Sequence, residues 1–162
     1  VLYAMEKLKK AGKTIILDPA PARILPDEIF LNVDYITPNE TEMETLTGIS
    51  IKDVDDFKEA GHWLIKKGVK NVIAKAGKKG AYLITSDDFV HVPGFSVKAV
   101  DTTAAGDSFN AGFAFALAQG KEIIESIRFA NAVGAISTTA KGAQSAMPSL
   151  KQVEAFIGQQ MR

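Results

Sequence analysis

The chain has 162 residues, 46% of them hydrophobic and 23% charged, which suits an ordinary globular protein with one domain and a real core. Lys plus Arg equal Asp plus Glu at 19 each, so charge gives no reason to expect nucleic acid or an acidic membrane surface as partner. Cysteine is absent and His62 and His91 are the only histidines, which excludes disulfides and thiolate sites and argues against a histidine-rich metal site. No apolar run approaches the roughly 18–20 residues of a membrane span. The first residues carry no signal-peptide pattern, so a cytoplasmic protein is expected.

The chain opens without Met and already in helical phase. Leu2, Met5 and Leu8 form an apolar stripe, lysines fill the other face, and Gly12 can end the helix. This opening reads as the interior of a longer protein. Thr14 to Asp18 reads as a buried strand, stopped by Pro19-Ala20-Pro21. Asp27 to Val33 is a short helix, and Asp34 to Thr37 a second strand closed by Pro38. Asn39 to Gly48 follows as a helix with an acidic first turn and a glycine stop. Asp53 to Lys67 is amphipathic, with Phe57, Ala60, Leu64 and Ile65 at helical spacing and Gly68 after them. Asn71 to Lys75 is a third strand, 76–80 a turn, Ala81 to Thr85 a fourth strand, and Phe89 to Val92 a fifth after a tight turn. Phe95 to Val100 alternates in the manner of one more. Glu122 to Thr139 is a helix whose small residues permit close packing, residues 141–148 are irregular, and Leu150 to Gln160 is a last amphipathic helix. Strands alternating with helices predict an α/β fold: a three-layer, doubly wound, mostly parallel sheet with helices on both faces. Ligands of such sheets bind at the carboxyl ends of the strands, where residues 37–42, 75–80 and 101–107 all fall.

The stretch 101–112, Asp-Thr-Thr-Ala-Ala-Gly-Asp-Ser-Phe-Asn-Ala-Gly, organises the rest. A helix can begin near Ala105, since 113–118 is apolar and unbroken. Small residues before it let a ligand approach the backbone. Free N–H groups at a helix start favour an anion. Asp107 sits in that first turn as a buried-looking acid, able either to cap the helix or to take a proton from a substrate hydroxyl. The chain has no P-loop ending Gly-Lys-Ser/Thr and no G-x-G-x-x-G after a strand.

The stretch resembles the D-T-x-G/A-A-G-D signature of the ribokinase, or PfkB, family of sugar kinases. T-P-N-E-T-E at 37–42, K-A-G-K-K-G at 75–80 and K-G-A-Q at 141–144 resemble further family motifs in order and spacing. The resemblance covers essentially all of 1–162. D-P-A-P-A-R at 18–23 and the Ala-Ala form of the signature place it nearest the ribose-specific members.

The resemblance implies phosphoryl transfer from ATP to a sugar hydroxyl, with D-ribose to D-ribose 5-phosphate as the reaction. Asp107 would be the base, in contact with the sugar, and the amides of Ala104, Ala105, Gly106 and Asp107 an anion hole. Asn39 and Glu42 match the N-x-x-E motif, which would hold Mg²⁺-bound phosphates, Glu42 through water; a plain capping box is the alternative. Lys75, Ala76, Gly77, Lys78, Lys79 and Gly80 would lie along the nucleotide, with Gly77 and Gly80 allowing backbone approach; a tight hairpin is the alternative. Lys75 stands where the family commonly has Thr, and Lys78 and Lys79 also read as solvated charges. Asn131 would lie beside adenine, or else face solvent. Asp101, Thr103, Ser137, Ala140, Gly142 and Ala146 match a K⁺ site built of carbonyls and a carboxylate, with Ala146 where a Ser is usual; a plain turn role for Asp101 is the alternative.

Family members are about twice this length. The segment absent here carries the main sugar contacts and a small sheet that acts as lid and dimer interface. Residues 1–162 therefore read as the C-terminal, nucleotide-binding part, inactive on its own, of a protein that would form a homodimer through the lid. A kinase acting on fructose, a nucleoside or another small alcohol, and a nucleotide-binding module without catalysis, are the rival expectations.

Overall fold

The structure, a computed structural model, describes residues 1–160. Its residues group into two units: Val1–Ala76 with Tyr82–His91, and Gly77–Ala81 with the chain from Val92 onward.

The first unit begins with α1 (Leu2–Lys10). It ends as Gly12 predicts: Gly12 takes φ +67°, its N–H donates to Lys9 O at 2.9 Å and the Lys13 N–H to Leu8 O at 2.9 Å. That pair of bonds satisfies carbonyls the helix end would leave open. Next come β1 (Ile16–Leu17), α2 (Asp27–Phe30), β2 (Tyr35–Ile36), α3 (Glu40–Thr47), α4 (Val54–Lys66) and β3 (Asn71–Lys75). β4 (Gly80–Ile84) and β5 (Phe89–Pro93) complete a sheet of order β1-β2-β3-β4-β5. β1, β2 and β3 are parallel, with Ile16 opposite Tyr35 and Ile36 opposite Val72. The three-residue helical turn Gly77–Lys79 and the turn closed by Thr85 N–H to Asp88 O are far too short for a crossover. β4 and β5 therefore run antiparallel to their predecessors.

β1 and β2 are shorter than the strands expected over 14–18 and 34–37. The Ile15 N–H donates to the Asp34 carboxylate at 2.9 Å rather than to a strand carbonyl, so the regular ladder starts one residue later. Phe30, Ile36, Met43, Leu64, Val72 and Ile84 are fully buried in this unit's core. α4 starts on a reciprocal cap between Asp53 and Asp56 and lies close over β4: a Cβ at Gly61 would come within 2.9 Å of Ile84 Cγ1.

The second unit is helical. α5 (Ala105–Ala118) and α6 (Ile123–Ser137) pack through small residues, as the composition of 122–139 predicts. A Cβ at Gly112 would meet Val133 at 2.9 Å and Ala130 Cα at 3.2 Å. α7 (Leu150–Gln160) contributes the buried Val153, and Phe156 packs on Phe95 with ring centroids 5.2 Å apart.

Residues 95–100 do not form the expected strand. The Val100 and Asp101 N–H groups both donate to Thr138 O, at 2.7 and 3.1 Å. The end of the alternating segment thus docks on the end of α6. No helix among the described residues is long and apolar enough to cross a membrane.

Candidate functional site

In the first unit, three parallel strands end beside one another. Asp18 follows β1, Pro38 and Asn39 follow β2, and Lys75 ends β3. The Lys75 N–H donates to Pro38 O at 2.7 Å, and Asn39 and Lys75 form an isolated parallel bridge. Asn39 is the N-cap of α3: its Oδ1 accepts the Glu42 N–H at 2.9 Å, and Glu42 Oε2 accepts the Asn39 N–H at 2.7 Å. The capping box is therefore present. It also holds the acid in a fixed place, because Glu42 is only 8% exposed. Glu42 Oε1 has no hydrogen-bond partner among the described residues, so one carboxylate oxygen stays open to an outside ligand.

Lys75 does not extend into solvent. Its Nζ lies 3.2 Å from Asp18 Oδ1 and 3.8 Å from Glu42 Oε2. Asp18 escaped the reading of the sequence as a site residue. Its signal was available: an acid at the carboxyl end of a parallel strand, in a fold whose strand ends carry the ligands.

In the second unit, α5 begins on Ala104, whose φ of +60° is the sole positive value at a non-glycine among the described residues. Such backbone costs an alanine about 1–2 kcal/mol relative to its usual wells, and strain of this kind gathers at functional turns. The N–H groups of Ala104, Gly106 and Asp107 have no acceptor among the described residues, whereas the Ala105 N–H already donates to Thr102 O at 3.2 Å. Three of the four anticipated anion-hole amides are open.

Asp107 is exposed rather than buried, and its carboxylate makes no hydrogen bond among the described residues. The helix is capped by Ala104 backbone geometry, not by this acid. One turn on, Asn110 has both side-chain polar atoms buried without a partner, as does the Ser108 hydroxyl.

The Asp101 carboxylate is fully engaged. Oδ1 accepts the Thr103 N–H at 2.9 Å, and Oδ2 accepts the Gly142 N–H at 3.1 Å. Hydrogen bonds from the Thr103 side chain and amide, then from Gly142, hold its carboxyl down to about 2. Ser137 is buried and its hydroxyl donates to Gly134 O at 2.8 Å, so only its carbonyl is available to a cation. Ala140 is exposed, Gly142 takes φ +97°, and Ala146 is buried in the short helical turn Gln144–Ala146. The donors of this loop are all oxygens, which fits a large, weakly hydrated cation. Among the described residues no three carboxylates or histidines cluster as a direct metal site.

The glycine-rich turn divides. A Cβ at Gly77 would meet nothing within 4 Å, so that backbone is open to a ligand. A Cβ at Gly80 would lie 2.2 Å from Val92 O and 2.3 Å from Gly94 N. The chain's own backbone, not a ligand, occupies the space that Gly80 leaves. Lys78 and Lys79 are exposed and Ala76 is buried. Asn131 does not face solvent: it is 7% exposed, and its Nδ2 donates to Val92 O at 3.1 Å and Pro93 O at 3.2 Å.

Residues 1–150 match the pfkB family carbohydrate kinase profile. The chain belongs to the pfkB family. Among its relatives, this pfkB chain is 44% identical to the ribokinase of Haemophilus influenzae over 97% of its own length and 51% of the relative's. It is 40% identical to the deoxyribokinase of Salmonella typhi, covering 97% of itself and 52% of that protein. The ribokinase of Arabidopsis thaliana, solved with ribose and ATP, superposes with a TM-score of 0.92 at 34% identity, over 96% of this chain and 51% of that one. The ribokinase of Thermotoga maritima superposes at 0.87 with 44% identity, over 96% and 52%. The fold is therefore ribokinase-like, and the pfkB chain spans about half the length of the relatives it matches.

Proposed function

We propose that residues 1–162 are the nucleotide-binding C-terminal half of an ATP-dependent sugar kinase that phosphorylates a pentose, D-ribose to D-ribose 5-phosphate. The start of α5 carries this reading. It sets an unengaged carboxylate, Asp107, in the same turn as three open amides, with a left-handed alanine at the turn itself.

In the proposed step Asp107 takes the proton of the attacking hydroxyl, and the sugar oxygen bonds to the γ-phosphorus as the bond to ADP breaks. The amides of Ala104, Gly106 and Asp107 neutralise charge on the moving phosphoryl group. A positioned base of this kind contributes about 10²–10⁴-fold in rate. Glu42, with one oxygen fixed by the cap and one open, suits the outer-sphere hold that Mg²⁺ accepts, since that ion keeps much of its water. When bound with ATP, Mg²⁺ would supply charge neutralisation between the phosphates. Asp101 braces the 137–146 carbonyls that would take K⁺, tying that loop to the segment leading into α5. The exposed turn around Gly77 is the nucleotide-facing part of 75–80.

The test is a transfer assay on the full-length protein with Mg·ATP and a panel of ribose, 2-deoxyribose, fructose and nucleosides. The likeness to a deoxyribokinase makes 2-deoxyribose the closest competitor of ribose. A pentose 5-phosphate is expected as product. ATP binding without transfer to any sugar would favour the non-catalytic module instead.

A further inference from the structure

We propose that Asp18 and Lys75 are positioning residues for Glu42, an ion pair that fixes how this chain takes up a magnesium-bound polyphosphate. The proposal rests on the kinase reading only in taking Mg·ATP as the ligand.

The simple expectation for an ammonium at the end of a strand in this site is direct contact with phosphate. The geometry points elsewhere. Lys75 is rooted at the end of β3, and its side chain is 12% exposed. Its Nζ sits between two carboxylates, 3.2 Å from Asp18 and 3.8 Å from Glu42. On Glu42 it meets Oε2, the oxygen that already accepts the Asn39 N–H at 2.7 Å. Both polar contacts to this carboxylate among the described residues thus fall on Oε2, and Oε1 accepts no hydrogen bond there. An anion on that side would have to draw Lys75 away from both acids, leaving two carboxylates near one another with no counter-charge. A lone charge in so enclosed a place is costly. The pair is better suited to hold Glu42 than to grip phosphate.

Asp18 is the less obvious partner. It lies on the loop leaving β1, 57 residues from Lys75. Its carboxylate gives Lys75 a fixed direction, and Lys75 in turn fixes Glu42. Outer partners of a metal-facing carboxylate typically change metal affinity or activity by about 10–100-fold when removed.

Asp18→Asn decides between the two roles, because they demand opposite signs. If Lys75 acts through Glu42, D18N loosens it and weakens Mg·ATP binding about tenfold or more. If Lys75 grips phosphate, D18N frees the ammonium and binding is unchanged or tighter. Binding is measured by calorimetry on the full-length protein without sugar, with Mg·ATP and with metal-free ATP. The expected loss is confined to Mg·ATP. Lys75→Thr should cause a similar loss, and D18N/K75T, which leaves no lone charge, should bind no worse than either single variant. The double variant also guards against a folding defect, checked by thermal melting of all three. Additive losses, or a K75T loss equal with and without Mg²⁺, would overturn the proposal. Failure of the wild-type protein to phosphorylate any sugar while these binding results hold would sink the kinase reading and leave this one standing.

Discussion

The Asp101 carboxylate accepts the Gly142 N–H at 3.1 Å, joining two segments 41 residues apart in the chain. Its other oxygen takes the Thr103 N–H at 2.9 Å. One side chain therefore braces both the approach to α5 and the loop after α6. Asp101→Ala should release both. In the full-length protein, activity compared in potassium and in sodium at equal ionic strength should lose its preference for potassium, and kcat should fall by about tenfold or more. A variant that keeps the wild-type response to potassium would remove Asp101 from any role in a cation site.

Ala104 takes a φ of +60°, a left-handed conformation that glycine adopts freely. Ala104→Gly should be neutral or stabilising, within about 1 kcal/mol, because relief of strain and added unfolded-state freedom oppose each other. Ala104→Val should cost more than about 1 kcal/mol, since a β-branched residue fits this region worst. Denaturant titration of the two variants measures the difference; equal stability would contradict the strain.

Gly80 lets two backbone segments approach closely. Gly80→Ala puts a methyl 2.2 Å from Val92 O at a φ of +100°. A loss of about 2 kcal/mol or more is expected, as for other steric and backbone clashes. Gly77→Ala meets no atom within 4 Å and should cost only its left-handed backbone, about 1–2 kcal/mol. Thermal melting of both variants would contradict this division if G77A proved the more harmful.

Much of this was legible in the sequence. Helix limits followed from apolar spacing and from stops such as Gly48, found at φ +74° in the C-cap of α3. The Asn39–Glu42 pair was legible because its spacing is itself the capping-box rule. What escaped depended on contacts between distant segments. Residues 95–100 alternate like a strand, but Thr138 O takes the N–H groups of Val100 and Asp101, which only the end of α6 could reveal. Asn131 could pass for a surface residue because nothing local announces the carbonyls of Val92 and Pro93. Asp18 stands legibly at the carboxyl end of a strand, but its pairing with Lys75 showed only once β1 and β3 were brought to one end of the sheet.

Asp34 should set the acid limit of the first unit. Partial burial opposes its charge, but hydrogen bonds from Lys9 at 2.6 Å, the Ile15 N–H at 2.9 Å and Lys70 at 2.9 Å win and hold its carboxyl below the usual range. A carboxyl held low when folded adds stability above its unfolded value, about 3.9, and loses it as pH falls through the folded value. Asp34→Ala should therefore cost about 1–3 kcal/mol at neutral pH, with the gap to wild type closing below about pH 4. Denaturation of both proteins across pH 2–7 checks the sign; a gap that widens in acid would contradict it.

The most direct test is the pre-steady-state transfer rate of Asp107→Asn in the full-length protein with saturating ribose and Mg·ATP. A carboxamide is nearly the same size as the carboxylate and leaves the open amides of α5 in place, so only proton acceptance is lost. The transfer rate should fall by about 10²–10⁴-fold, while Mg·ATP affinity stays within a few-fold of wild type. Transfer at the wild-type rate would contradict Asp107 as the base.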